Sequence, residues 1–361
     1  MTGAIHLSSK GFNVTLIEKS SYPKHKVCGE FISNEVLPYF GWLDADPSSL
    51  HPSRITRFML SAVSGNIIES KLPLGGFGIS RYRFDEFLYK KAKKNGCAVI
   101  EDTVTGIDFM DDEFNVSTAG NGVLPAKIVI GAHGKRSNID QALSRNFIRS
   151  KSPWLAVKAH YKGEFPDDMV ALHTFIGGYC GVSKVEDDVI NICYLCDYDS
   201  FKRYKNINHY ERQVIHQNRH LKKILMNSKM IFDQPVTIGQ ISFEKKAAVE
   251  NHILMTGDSA GLIHPLCGNG MAMAIHSAKI CAELVAGYFS GEIKSREMLE
   301  NEYELSWNKA FSRRLRTGRI LESLFRRENL FQLLVSVAEK WPVLLPFIIR
   351  QTHGKPLTIN K

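Results

Sequence analysis

An apolar run, Ile253-Leu254-Met255, leads into Gly257-Asp258 and then a loop with glycines at 261, 268 and 270, ahead of an amphipathic stretch that starts at Met271. Each residue type suits one task. A carboxylate at a strand end, Asp258, accepts hydrogen bonds from a chain of sugar-like hydroxyls. Glycine lets backbone approach a ligand where a Cβ would collide. A helix starting at Met271 presents unpaired N–H groups and the positive end of its dipole, which favours an anion or an electron-rich ring. Cys28, in the loop PKHKVCGE at residues 23–30, is the second reactive candidate. Lys26 nearby favours a thiolate; the competing reading is a small buried hydrophobe.

The elements that position these groups follow from pattern. Residues 4–9 read as a short helix ending at Gly11, and FNVTLI at residues 12–17 as a strand closing on Glu18-Lys19. Residues 54–72 form two strands joined at Ser64-Gly65-Asn66. A helix follows Arg81 and closes on Gly96. KIVIGAHGKRS at residues 127–137 is a strand running into a glycine turn. Residues 154–243 are strand-rich, with a charged helical segment over about 200–229. Within them FIGGYCGVSKVEDDVINICYLC reads as a hairpin with Glu186-Asp187-Asp188 at its tip. Past residue 300 the chain reads as helical, and its last part is apolar but broken by Pro342 and Pro346. That segment either caps a substrate cavity, lies in a membrane interface, or packs in the core.

Composition excludes several classes. With 361 residues and 44% hydrophobic content the chain buries a large core and divides into two domains. No run of about 18 apolar residues predicts a transmembrane helix. The first eleven residues lack a signal-peptide core. The seven cysteines have no zinc-like spacing, and scattered free thiols fit a reducing cytoplasm. His264 and His276 flank the glycine loop without a partner at metal spacing and read as loop and helix-surface residues, so no metal is expected. The net charge of +9 lies partly in local runs such as Lys90-Lys91 and Arg313-Arg314. No nucleic-acid module accompanies it, so a membrane surface or an anionic cofactor fits better.

The positions Gly257, Asp258, Gly261, Pro265, Gly268 and Gly270 match GDxxGxxxPxxGxG, which resembles the second flavin motif of FAD-dependent oxidoreductases related to geranylgeranyl reductases and aromatic hydroxylases. Other segments agree: Cys28 lies in a KxCGE segment, and Arg81, Phe84, Asp85 and Gly96 match RxxFDxxLxxxAxxxG. The resemblance implies an α/β fold: a three-layer Rossmann-like FAD-binding domain (1–50, 73–150 and 250–298), an inserted α+β substrate domain (51–72 and 151–249) and a helical C-terminal region (299–361). It implies FAD contacts at Glu18, Lys19, Arg81, Val104, Gly257, Asp258, Gly268, Gly270 and Met271, with Cys28 near flavin and substrate.

Two segments depart from the pattern. His133 replaces the aspartate of a GADGxxS segment that organises the pyrophosphate side and the nicotinamide donor's approach. Gly181 and Ser183 follow Tyr179 where a YxWxFP motif is expected, so substrate identity does not carry over; Phe175 and Tyr179 are still expected to wall the cavity. The implied function is hydride transfer through flavin to or from a hydrophobic small molecule, isoprenoid, lipid or polyketide-like, with NAD(P)H or another donor. A flavin monooxygenase and a non-catalytic ligand-binding member are the alternatives. The last arises because the first strand and GxGxxG turn of a dinucleotide unit should precede Thr2; an in-frame extension of roughly 15 to 20 residues is expected to supply them. Expected partners are the small molecule and, through the C-terminal region, a membrane surface, with no nucleic acid and the oligomeric state open. The expected location is the cytoplasm.

Overall fold

The computed structural model describes residues 1–204, 206–325, 337, 340–341 and 344–359. Helix α1 (Thr2–Ser9) leads into strand β1 (Thr15–Glu18), which pairs in parallel with β5 (Ala98–Glu101), Glu18 opposite Glu101. Between these strands lies α3 (Arg81–Lys94), started by Ser80, whose hydroxyl accepts the Arg83 N–H, and followed by Gly96 in the left-handed region at φ 87°. A second parallel pair joins β9 (Ile130–Gly131) to β17 (Ile253–Met255), which also pairs with β16 (Val249–Glu250). Among the described residues β1 and β9 are each paired along one edge only. A three-stranded meander, β6 (Val104–Met110), β7 (Glu113–Thr118) and β8 (Val123–Ala126), lies beyond β5.

Helix α8 (Gly270–Phe289) packs on α1, with Gly3 close to Ala278. On its other side α9 (Arg296–Phe325) contributes Tyr303, Trp307 and Phe311 to the core that holds β17. Fully burying side chains of this size stabilises by roughly 1.5–3 kcal/mol each, so the glycine loop between β17 and α8 is clamped from behind.

The remaining strands form one nine-stranded sheet. Its order is β14 (Ser228–Met230), β10 (Trp154–Gly163), β13 (Ile190–Asp197), β12 (Gly178–Lys184), β11 (Met169–Phe175), β3 (Ser53–Ser61), β4 (Ile67–Gly78) and β2 (Phe31–Ser33), with β15 (Val236–Ile238) also paired to β10. The sheet therefore uses more chain than residues 51–72 and 151–249: it takes in β2 and all of β4. A Cβ on Gly76 would meet the Phe31 ring of β2 at 2.4 Å, and one on Gly78 would meet the Lys184 carbonyl oxygen of β12 at 1.9 Å, so glycines let the end of β4 close against both strands.

Strand alternation divides this sheet into two unlike faces. On β10, Leu155, Val157, Ala159 and Tyr161 face the cluster formed with α6 (Ile207–Gln213) and α7 (Arg219–Met226). Trp154 and Ala156 belong to a separate cluster on the opposite face, with Tyr179, Leu262 and Phe243.

The C-terminal region holds α9 and α10 (Leu344–Thr352), and residues 353–359 run on without helix. Most of the apolar run before α10, together with Arg326-Arg327, lies outside the described residues. Among the described residues no helix is long and apolar enough to cross a membrane.

Candidate functional site

Past β17 the chain makes a 3-10 turn at Gly257–Ser259, a second at Pro265–Cys267, and enters α8 at Gly270. Gly257 and Gly268 need their residue type, at φ 58° and 61°. The turn is fixed by the Ser277 hydroxyl accepting the Gly257 N–H at 2.8 Å and by Lys246 Nζ donating to the Asp258 carbonyl at 2.8 Å. The Asp258 carboxylate itself accepts no hydrogen bond from any described residue. Burial raises its pKa, while Lys135, Lys246 and Arg81 pull it down. Burial likewise lowers the Lys246 ammonium to about 8. Asn269 leaves the first turn of α8 without a side-chain cap.

Facing this loop is the Cys28 turn. Cys28 Sγ lies 3.4 Å from Met271 Sδ and accepts the Glu30 N–H at 3.4 Å, and the Asn191 amide donates to the Cys28 carbonyl at 3.2 Å. The cation beside Cys28 is Arg81, not Lys26 as expected. Lys26 reaches Asp85 at 3.0 Å, and Arg81 also grips Asp85 through two bonds of 2.7 Å. Burial would raise the Asp85 pKa, but these two cations outweigh it and hold it below the ordinary carboxylate range.

Behind the turn stands Glu30, fully buried and at φ 54°. Its Oε1 accepts Lys158 Nζ at 2.8 Å and the Arg81 backbone N–H at 2.7 Å; its Oε2 pairs with His160 Nε2 at 2.6 Å. Burial opposes its ionisation, yet His160 and Lys158 lower its pKa. Lys158 and His160 leave β10 on the face away from α6 and α7, which is how the sheet reaches the Cys28 turn.

The other expected residues are distributed as follows. Glu18 ends β1, with one oxygen accepting the Tyr22 hydroxyl at 2.7 Å and the other Lys24 at 2.9 Å, which leaves about half of a carboxylate's acceptor capacity. Lys19 is exposed. Val104 opens β6, and its carbonyl accepts the Asn138 amide at 2.7 Å. Phe175 and Tyr179 do not wall one cavity: Phe175 packs against Tyr194 and Tyr210 on the α6 side, whereas Tyr179 packs beside His264 on the opposite face. His133 sits 3.0 Å from Asp140, whose carboxylate caps the helix at Asn138–Ala142. His264 is not a surface loop residue; Trp154, Tyr179 and Phe243 enclose it, and burial drops its pKa to about 3. Burial likewise lowers His276 to about 4. No metal-binding cluster occurs among the described residues.

These features fit a flavin nucleotide. Positions where a Cβ on Gly29 or Gly134 would stand have nothing within 4 Å, so both glycines border open space at the two turns. The Asp258 carboxylate is free for hydroxyl donors. Lys26, Arg81, Lys135, Lys158 and Lys246 outnumber Glu30, Asp85 and Asp258, leaving the surroundings positive, as an anionic cofactor requires.

Comparison with known proteins bears on what the site serves. No protein-family profile matches the chain. It is 26% identical to a digeranylgeranylglycerophospholipid reductase of Methanosarcina acetivorans, over 92% of this chain and 84% of the reductase. It is 24% identical to a tryptophan 2-halogenase of Chondromyces crocatus, over 81% of this chain but only 60% of the halogenase. Among solved structures, a flavin-dependent brominase superposes with a TM-score of 0.78 at 17% identity, covering 97% of this chain and 89% of the brominase. A geranylgeranyl bacteriochlorophyll reductase-like protein of Thermoplasma acidophilum gives 0.74 at 20%, covering 97% and 96%. The chain belongs to the FAD-dependent oxidoreductase superfamily that contains the geranylgeranyl reductases and the flavin-dependent halogenases.

Proposed function

We propose that the chain binds FAD between the 257–271 loop and the Cys28 turn and moves a hydride between it and a hydrophobic small molecule. The observation that carries this reading is the meeting of Cys28, Arg81 and Met271, from three distant segments, beside a carboxylate with no donor of its own. Bound flavin supplies the hydride chemistry. Asp258 orients the cofactor by accepting its hydroxyls, the start of α8 offers N–H groups to its electron-rich edge, and Glu18 holds ribose with its remaining lone pairs. Arg81 neutralises negative charge at the site, and Cys28 handles a proton or shapes the substrate side. Val104 borders the adenine through its backbone, and Tyr179 belongs to the substrate wall. NAD(P)H is the donor this reading favours, and a prenyl or lipid substrate follows from the likeness to the archaeal reductase.

A second reading, oxygen-dependent hydroxylation or halogenation, draws on the similarity to the brominase fold. The test is reconstitution of the purified protein with excess FAD, followed by anaerobic addition of NADPH. Bound flavin that bleaches, and is reoxidised anaerobically by a prenylated lipid, supports reduction. Reoxidation only by oxygen favours the second reading, and failure to retain any flavin rejects both.

A further inference from the structure

A cleft of about 390 Å³ opens between β4, α9 and α10. Its floor is apolar, with Leu72, Leu74 and Ile349, and its rim carries Lys309, Arg313, Arg350 and Lys355. None of these four cations has an ion-pair partner among the described residues. Only the deeper Arg314 does, at 2.9 Å from Glu35. His353 also lines the cleft; its Nδ1 lies 3.0 Å from the Ile349 carbonyl, and its buried Nε2 has no hydrogen-bond partner. Clustered like charges cost free energy unless an anion joins them. Phe347 on α10 is 59% exposed, and Trp341 just before the helix is 68% exposed.

A free polyanion would satisfy the cations and leave the apolar floor and the two aromatics in water. A phosphate carrying apolar chains satisfies both. We propose that this cleft is a headgroup site for anionic phospholipid at a bilayer surface, with α10 lying in the interface. Aromatic side chains at the headgroup level and cations facing anionic lipid are how such helices dock. The arrangement brings the protein to the compartment where a hydrophobic substrate dissolves. The proposal does not depend on flavin binding.

The test is co-sedimentation with vesicles of phosphatidylcholine alone or with one-third phosphatidylglycerol. Wild type should bind the anionic vesicles and not the neutral ones. Arg313→Glu with Arg350→Glu should weaken binding by about thirtyfold or more, whereas Lys93→Glu with Lys94→Glu, the same charge change on exposed α3 positions, should weaken it less than about threefold. Equal losses in the two double variants would mean that net charge alone drives binding, and would overturn the site. No vesicle binding by wild type overturns it as well. So does stabilisation by inorganic phosphate that is lost in the cleft variant while vesicles are ignored, since that describes a free-anion site. If charge reversal unfolds the protein, Arg313→Gln with Arg350→Gln takes its place with the same criteria. Flavin content measured on the same samples separates failure here from failure of the redox reading.

Discussion

Replacing Glu30 by Gln tests whether a buried ion set holds the Cys28 turn against the large sheet. The carboxylate is 0% exposed, as is Lys158, and His160 is 4% exposed. Gln keeps the shape but removes the charge that Lys158 needs and turns one end into a donor facing donors. Breaking a buried pair by neutralising one partner costs about 3–5 kcal/mol, whereas replacing both partners by uncharged groups of similar volume is close to neutral. Glu30→Gln should therefore lower stability by about 3–5 kcal/mol, and adding Lys158→Met should recover at least half of that. The measurement is the midpoint and slope of urea unfolding near neutral pH, with both variants, wild type and Lys158→Met alone completing a double-mutant cycle. A single variant within about 1 kcal/mol of wild type, or a double variant no better than the single, would show that the three hydrogen bonds at Glu30 do not act as an ionic set.

Four further outcomes are expected. Asp258→Ala should weaken FAD binding by about 1–3 kcal/mol in a flavin titration without lowering the urea midpoint, because no protein donor loses its partner. Cys28→Ser should keep flavin content and thermal midpoint while slowing turnover; loss of flavin with activity per bound flavin preserved would make Cys28 a packing residue. Gly78→Ala should prevent folding or cost several kcal/mol, since its Cβ would lie 1.9 Å from the Lys184 carbonyl oxygen, whereas Gly29→Ala, with nothing within 4 Å, should fold normally and reduce flavin affinity. Glu211 has its pKa raised by burial from 4.5 to about 6, with the Tyr194 hydroxyl acting in the other direction. The folded protein therefore binds more protons there than the unfolded chain, and this contribution, about 1–2 kcal/mol, is full below pH 4.5 and lost as pH rises through 6. Glu211→Gln should flatten that part of the stability profile measured by urea unfolding from pH 4 to 7.

What the sequence reveals of this molecule depends on whether a feature is local. The turn at Gly257 and Gly268 is legible because its backbone demands glycine, and Asp258 is legible because it ends an apolar strand. The helix after Arg81 declares its own end at Gly96. The Glu30 set is not legible, because Lys158 and His160 are 128 and 130 residues away. Their alternation with Val157, Ala159 and Tyr161 reads as a solvent face, and only the second layer turns that face inward. Phe175 and Tyr179 part at the two-residue turn Ile176-Gly177, which sets Tyr179 opposite Thr174 and therefore on the face away from Phe175. Lys26 is closest to Cys28 in sequence, but Asp85 competes for it.

The two faces of β10 also bear on how the sheet finds its pairing. In the native register Lys158 lies opposite Cys193 and His160 opposite Asn191. Sliding β10 by a single residue would turn Lys158 and His160 into the aliphatic layer under α6 and α7, and would press Val157 and Ala159 against Glu30. An all-apolar strand could tolerate such an error as a long-lived misfolded state, because either face would bury comparable surface. Here the mispaired form strands two basic side chains in hydrocarbon and one acid without a partner. The ionic residues should therefore penalise the slipped register, and a variant in which all three are apolar should fold with more trapped, slowly correcting chains even where its final stability is undiminished.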